Sequence, residues 1–162
     1  MLIRPRTPED LEACVQALAE VHPVDRYPVD WPDDPAAWLT PGGLRRAWVV
    51  TEHRPAEHRP AEDQDAGGVV LGHVALTGDL QVTRLFVVPS ARGRGVAGLL
   101  LEAARAAAGG RPLKLEVSSE GEAAISLYER AGWRRTGSSR ATWLNAAGEP
   151  ALLHHYVSPA PG

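Results

Sequence analysis

The sequence holds a single cysteine, a single methionine and a single phenylalanine, and Lys114 is the only lysine among its 17 Lys and Arg residues. One cysteine excludes an internal disulfide framework and a cysteine-based zinc site. Cys14 stands among apolar residues at helical spacing, which reads as a small core residue rather than a reactive thiol. A long hydrophobic run is also missing. A transmembrane helix needs about 18 or more consecutive apolar residues, and the longest candidate, 95–108, is broken by Glu102 and Arg105. Met1-Leu2-Ile3-Arg4-Pro5 is not a basic region followed by an apolar stretch, so no secretory signal is expected and the reading is a cytoplasmic, bacterial protein. No basic cluster alternates with aromatics and the net charge is −3, which argues against nucleic acid as a partner. The abundance of Arg over Lys, beside much Ala, Gly and Pro, fits codon bias in a GC-rich genome.

What remains is an ordinary globular composition. The chain has 162 residues, 44% hydrophobic and 23% charged. That is enough for one core and too little for two, so 1–162 reads as one domain. Leu2-Ile3-Arg4 suggests a short strand. Thr7-Pro8-Glu9-Asp10 opens a helix with a capping hydroxyl, an early proline and acids near the positive helix end. Leu11, Cys14, Val15, Leu18 and Val21 repeat at helical spacing, and Pro23 and Pro28 are expected to stop that helix. Strands are expected at Ala47–Thr51, Val69–Leu76, Gln81–Val88, Leu113–Val117, Trp133–Gly137 and Ala151–Val157, with helices after Gly95 and after Ser119. Ser119-x-x-Glu122 is read as a capping box. The tandem His53-Arg54-Pro55-Ala56-Glu57 and His58-Arg59-Pro60-Ala61-Glu62 marks 53–68 as a flexible loop insert. The order points to an α/β domain of the α+β type: a central mixed, mostly antiparallel sheet of six or seven strands flanked by helices.

Two segments carry chemistry. Between His22 and Pro41, Tyr27, Trp31 and Trp38 lie among Asp25, Asp30, Asp33 and Asp34. Aromatics beside acids suit either a wall for a cationic amine or a loop anchored to the core. The second segment is Leu85-Phe86-Val87-Val88-Pro89-Ser90-Ala91-Arg92-Gly93-Arg94-Gly95-Val96-Ala97-Gly98. A strand enters a glycine turn that opens a helix. Such a turn aims unpaired backbone N–H groups at one point, where a diphosphate fits. Glycine lets the backbone approach the phosphate oxygens closely, and Arg92 and Arg94 add positive charge. Read literally, Gly93-x-Gly95-x-x-Gly98 with Glu116 at the next strand is also a dinucleotide fingerprint. Against it, four residues separate the strand from the first glycine.

The same stretch resembles the GNAT superfamily of N-acetyltransferases, whose loop reads Arg/Gln-x-x-Gly-x-Gly/Ala shortly after a strand and a proline. Here that is Arg92-x-x-Gly95-x-Ala97 after Pro89. A second family segment, a strand followed by Ala-Ile-x-Leu-Tyr-x-x-x-Gly-Trp, corresponds to Leu115-Glu116-Val117 and then Ala124 to Trp133. The family's Asn three residues before that alanine is Gly121 here. The resemblance implies acetyl-CoA as co-substrate and no metal. Its diphosphate would sit on Arg92, Gly93, Arg94, Gly95, Val96 and Ala97, and its pantetheine arm would pair with Leu85, Phe86 and Val87. It implies direct transfer to a primary amine of a small molecule or peptide, with Tyr128 protonating the leaving thiolate. His22, Tyr27, Trp31 and His73 are the acceptor-side candidates, and a homodimer is a candidate assembly. Some members carry a glutamate base where this chain has Gln81. His73, Glu116 and Asp79 then remain as bases, with His22, His154 and His155 behind them, or a water chain. A non-catalytic acyl-CoA sensor is the other reading of the same loop.

Overall fold

The computed structural model describes residues 1–53, 68–145 and 147–159. Seven strands and four helices follow in the order β1 (Leu2–Pro5), α1 (Leu11–Asp25), α2 (Pro35–Trp38), β2 (Leu44–Glu52), β3 (Val69–Thr77), β4 (Val82–Val87), α3 (Val96–Ala107), β5 (Lys114–Ser118), α4 (Glu122–Arg130), β6 (Arg134–Leu144) and β7 (Pro150–Val157). Short 3-10 turns precede α1 and follow β4. The expected α+β architecture is present. Its strands divide into two antiparallel sheets, β1-β2-β3-β4 and β5-β7-β6. The insert expected at 53–68 lies, apart from its two ends, outside the described residues.

One parallel bridge, Gln81 to Lys114, ties β4 to β5 where both strands begin, and the Lys114 N–H reinforces it by donating to the Leu80 carbonyl at 3.0 Å. Beyond this hinge the two strands belong to different sheets. They therefore form a wedge that is closed at Gln81 and opens toward Val87 and Ser118. This wedge organises the site.

The core is built on β3. Val70, Leu71, Val74, Ala75 and Leu76 are buried, because helices cover both faces of the strand, α1 on one side and α3 on the other. Gly72 permits the α3 contact. A Cβ there would meet the Val96 Cγ1 at 2.7 Å and the Leu100 Cδ1 at 3.0 Å. Cys14 is fully buried, and burial pushes its thiol up to about 12, so it is a packing residue, as the spacing indicates.

Two expected boundaries are corrected. Helix α1 runs through Pro23 and ends at Arg26, which takes a left-handed conformation (φ 54°) and bonds its N–H to the His22 carbonyl at 2.8 Å. Ser119 does not cap α4. Its N–H is held by the Leu152 carbonyl of β7 at 2.8 Å, and the helix starts after Gly121 instead. The Thr7 box is present but closes through Asp10, whose Oδ2 accepts from the Thr7 N–H at 2.7 Å. The Arg4 guanidinium also grips Asp10 and holds its carboxyl below the usual carboxylate range.

Candidate active site

The glycine loop sits at the open end of the wedge. Gly93 and Gly95 have φ of 79° and 80°, a left-handed backbone that favours glycine. A Cβ at Gly93, Gly95 or Gly98 would meet nothing within 4 Å, so the loop faces open space. The first bond of α3 runs from the Leu99 N–H to the Gly95 carbonyl at 3.1 Å. The N–H groups of Val96, Ala97 and Gly98 therefore have no partner inside the helix, and they add to the positive end of its dipole. This is a cradle for an anion.

Arg92 and Arg94 bracket that cradle without pointing free charge into it. Arg92 pairs with Asp25 at the end of α1, with Nη1 to Oδ1 at 3.1 Å. Arg94 pairs with Glu52 of β2, Nη2 to Oε1 at 2.6 Å. The guanidinium holds the Glu52 carboxyl below its ordinary range. The loop's pull on an anion thus comes chiefly from its backbone.

The wall of the wedge is β4, and β4 is irregular. Phe86 pairs with His73, but Thr83 pairs with Ala75. One extra residue is accommodated in β4, a bulge at Arg84, whose φ is 55°. Beyond the bulge, the Val88 N–H bonds the Leu71 carbonyl of β3 at 2.9 Å. Strand alternation then turns the Val87 N–H the other way, into the wedge.

His73 anchors this bulge from behind. It is 0% exposed and stacks on Phe86 at 5.2 Å. Its Nδ1–H donates to the Arg84 carbonyl at 2.9 Å, and its Nε2 accepts from the Arg6 guanidinium at 3.0 Å. Burial drives its pKa down to about 4, and the cations Arg6 and Arg84 push the same way. His73 is thus sealed with both nitrogens engaged, which speaks against the acceptor-side and base expectations and for a place behind the strand that it hydrogen-bonds.

Tyr128 on α4 is 7% exposed, its ring packed against Trp133 and Tyr156 at 5.9 and 6.3 Å. Burial raises its phenol above the ordinary value, and nearby Tyr27 adds to the rise. The ring is buried, and among the described residues no hydrogen bond engages its hydroxyl. Tyr27 is pushed up to about 12 by burial, with Arg84 acting in the opposite sense through its charge and its backbone amide. Tyr128, Tyr27 and the Arg84 bulge thereby converge.

The acceptor-side candidates split into two aromatic pairs. Tyr27 meets Trp38 edge-on at 5.6 Å, and His22 meets Trp31 edge-on at 5.4 Å. The first pair adjoins β4 through Trp38, whose ring lies under the Arg84 guanidinium. His22 is held by the Pro28 carbonyl at 2.8 Å, and Trp31 is 40% exposed. Two of the four acids of this segment are committed: Asp25 to Arg92, and Asp34 to capping α2 through the Ala37 N–H at 3.1 Å. Of the remaining base candidates, Asp79 sits at the closed end beside Lys114, Glu116 faces His155 across the sheet, and His154 and His155 bond Ser138 and Ser139. Arg84, at the bulge and over the Trp38 ring, was not singled out in the sequence. An arginine preceding Leu-Phe-Val-Val is its only signal, since a bulge leaves no fixed pattern.

Both sheets are antiparallel, so among the described residues there is no parallel doubly wound sheet of the kind that gives a dinucleotide fingerprint its meaning. A family profile, Acetyltransferase (GNAT) domain, matches residues 45–135. No curated protein matches the sequence. Solved structures do. Arabidopsis thaliana NAA60 in complex with a bisubstrate analogue superposes with a TM-score of 0.69 at 22% identity, covering 96% of this chain and 95% of that one. NAA60 with acetyl-CoA gives 0.68 at 21%, covering 96% of each. The ribosomal-protein-S18-alanine N-acetyltransferase from Escherichia coli gives 0.70 at 18%, covering 99% and 94%. At such identities these likenesses speak for the fold. The profile spans more than half of the sequence, including the bulged strand, the glycine loop and Tyr128, and on that ground the chain belongs to the GNAT acetyltransferase family.

Proposed function

We propose that the protein is an acetyl-CoA-dependent N-acetyltransferase that moves the acetyl group directly to a primary amine of a small molecule or peptide. The observation that carries this reading is the wedge. A bulged strand and a cradle of free helix-end amides lie at its open end, and Tyr128, within the same family-profile match, is the candidate acid. The diphosphate of acetyl-CoA would rest on the amides of Arg92 to Ala97, and the pantetheine arm would pair along Leu85, Phe86 and Val87 as an added strand does. The bisubstrate and acetyl-CoA complexes of NAA60 agree with such a use of the fold.

In the reaction the amine nitrogen attacks the thioester carbonyl and the carbon–sulfur bond breaks. The Val87 N–H is the donor assigned to the developing oxyanion. Tyr128 gives its proton to the departing thiolate, and the proton shed by the ammonium returns to it through water. A raised phenol pKa does not forbid this. Burial raises a thiol as well, so the two stay near each other.

Two measurements test the reading. Acetyl-CoA, but not NAD, should raise the melting temperature, by about 2.7 kcal/mol of added stability at 100 times its Kd. Tyr128→Phe should keep acetyl-CoA affinity while kcat falls about 100-fold. Stabilisation by NAD alone, or unchanged turnover in Tyr128→Phe, would refute the binding site or the acid respectively. Acetyl-CoA binding with no thiol release on any amine would favour the sensor reading.

A further inference from the structure

The acceptor side of the wedge carries a positive charge that no carboxylate among the described residues offsets. Arg84 is half-buried at the bulge. Its guanidinium lies over the Trp38 ring, 4.2 Å from Cζ to centroid. Its Nε donates to the Trp38 carbonyl at 2.9 Å, and its Nη1 donates to Thr83 Oγ1 at 3.0 Å. Among the described residues no Asp or Glu pairs with it, in contrast to Arg92 and Arg94 a few residues on. The Nη2 hydrogens have no partner among them either. The group is thus fixed in place by an aromatic face and two neutral acceptors, with donors left over. Arginine binds a carboxylate through paired N–H bonds, and stacking leaves its edge free for that purpose.

The acids that made this segment look suited to a cationic amine do not change the balance. Asp25 and Asp34 are engaged elsewhere, and Asp30 and Asp33 are solvent-exposed. Of this segment, Tyr27 and Trp38 stand at the bulge, and both are uncharged. A cationic substituent brought here would meet uncompensated positive charge. A carboxylate would meet its partner.

We infer that Arg84 selects the acceptor: the favoured amines carry a carboxylate close to the reacting nitrogen, as in acidic amino acids or a peptide with an acidic residue beside its amino terminus. This rests on the acetyltransferase reading above and names the substrate class of that site. The test uses pairs that differ only in that charge, with the α-carboxyl blocked as its amide so that the side chain carries the sole carboxylate: aspartate α-amide against asparagine α-amide, and glutamate α-amide against glutamine α-amide. Thiol release from acetyl-CoA is followed with each. The acid of each pair should have at least a tenfold higher kcat/KM, carried by KM. Arg84→Met should erase that ratio, Arg84→Lys should keep part of it, and the KM for acetyl-CoA should hold in both. Because the readout is a ratio within one enzyme preparation, partial unfolding of a variant does not mimic it. Equal use of both members, preference for the neutral one, an unchanged ratio in Arg84→Met, or transfer only to other amines would overturn the inference while acetyl-CoA still binds. Failure of acetyl-CoA to bind at all would overturn the parent reading.

Discussion

The two sheets of this protein are made of similar strands and treated very differently. In the β1-β2-β3-β4 sheet, β3 is buried along nearly its whole length because α1 and α3 cover its two faces. In the β5-β7-β6 sheet, β6 is an edge strand exposed at every position but Ala141, and Trp143 and Leu144 reach solvent. The sheets touch through one bridge at Gln81 and Lys114. The covered sheet can hold a strained feature, the positive-φ bulge at Arg84, since His73 and the packing behind it leave no room to relax. On the proposed reading the open sheet contributes its first strand and, through the helix that follows, the phenol of Tyr128, while the strained geometry lies on the other side of the wedge.

Substitutions sharpen this contrast. The largest difference is expected for buried bulk. Leu100→Ala, at a fully buried position, should cost about 2–5 kcal/mol in chemical denaturation. Trp143→Ala, at 40% exposure on the other sheet, should leave the midpoint nearly unmoved. Equal losses would mean that the β6 face is covered in solution.

Gly72 and Gly137 make a closer pair. Gly72→Ala drives a methyl into Val96 and Leu100, an overpacking of about 1–3 kcal/mol. Gly137→Ala meets nothing within 4 Å and needs no positive φ, so it should be neutral or stabilising by about 0.5 kcal/mol. A tolerated Gly72→Ala would show that α3 sits less tightly on β3 than the distances imply.

A smaller effect per unit of pH belongs to His73. Its ordinary pKa is 6.5 and its folded value about 4. Above 6.5 both states are neutral and pH has no effect through this residue. Between 6.5 and about 4 the unfolded chain binds a proton that the native state refuses, so stability falls as pH falls, by at most about 1.4 kcal/mol per unit. His73→Asn keeps an N–H for the Arg84 carbonyl and should flatten that slope. Asp10 acts in the same direction but lower, because its contribution is lost only as pH drops through a value below the usual carboxylate range. An unchanged slope in His73→Asn would place the titrating group elsewhere.

Much of the local structure could be read from residue order. Apolar spacing located α1 and α3, the strand expected at Val69–Leu76 is β3, and the glycines of 93–98 marked a turn that no other residue would form easily. The family motifs on either side of Leu115 then located Tyr128. Boundaries were less readable: Pro23 lies inside α1, and Ser119 spends its N–H on β7 instead of capping α4. Both outcomes depend on what packs nearby, which local propensity does not contain.

The site divides in the same way. Sequence by itself determined the anion cradle, since positive φ and free helix-end amides follow from glycine placement and helix geometry. Tertiary structure alone decided that Arg92 and Arg94 would be paired off with Asp25 and Glu52, that His73 would be sealed and neutral, and that Arg84 would keep its charge uncompensated. Each of these depends on a partner distant in the chain or on burial. Electrostatic character is set by neighbours in space, which sequence order leaves unspecified.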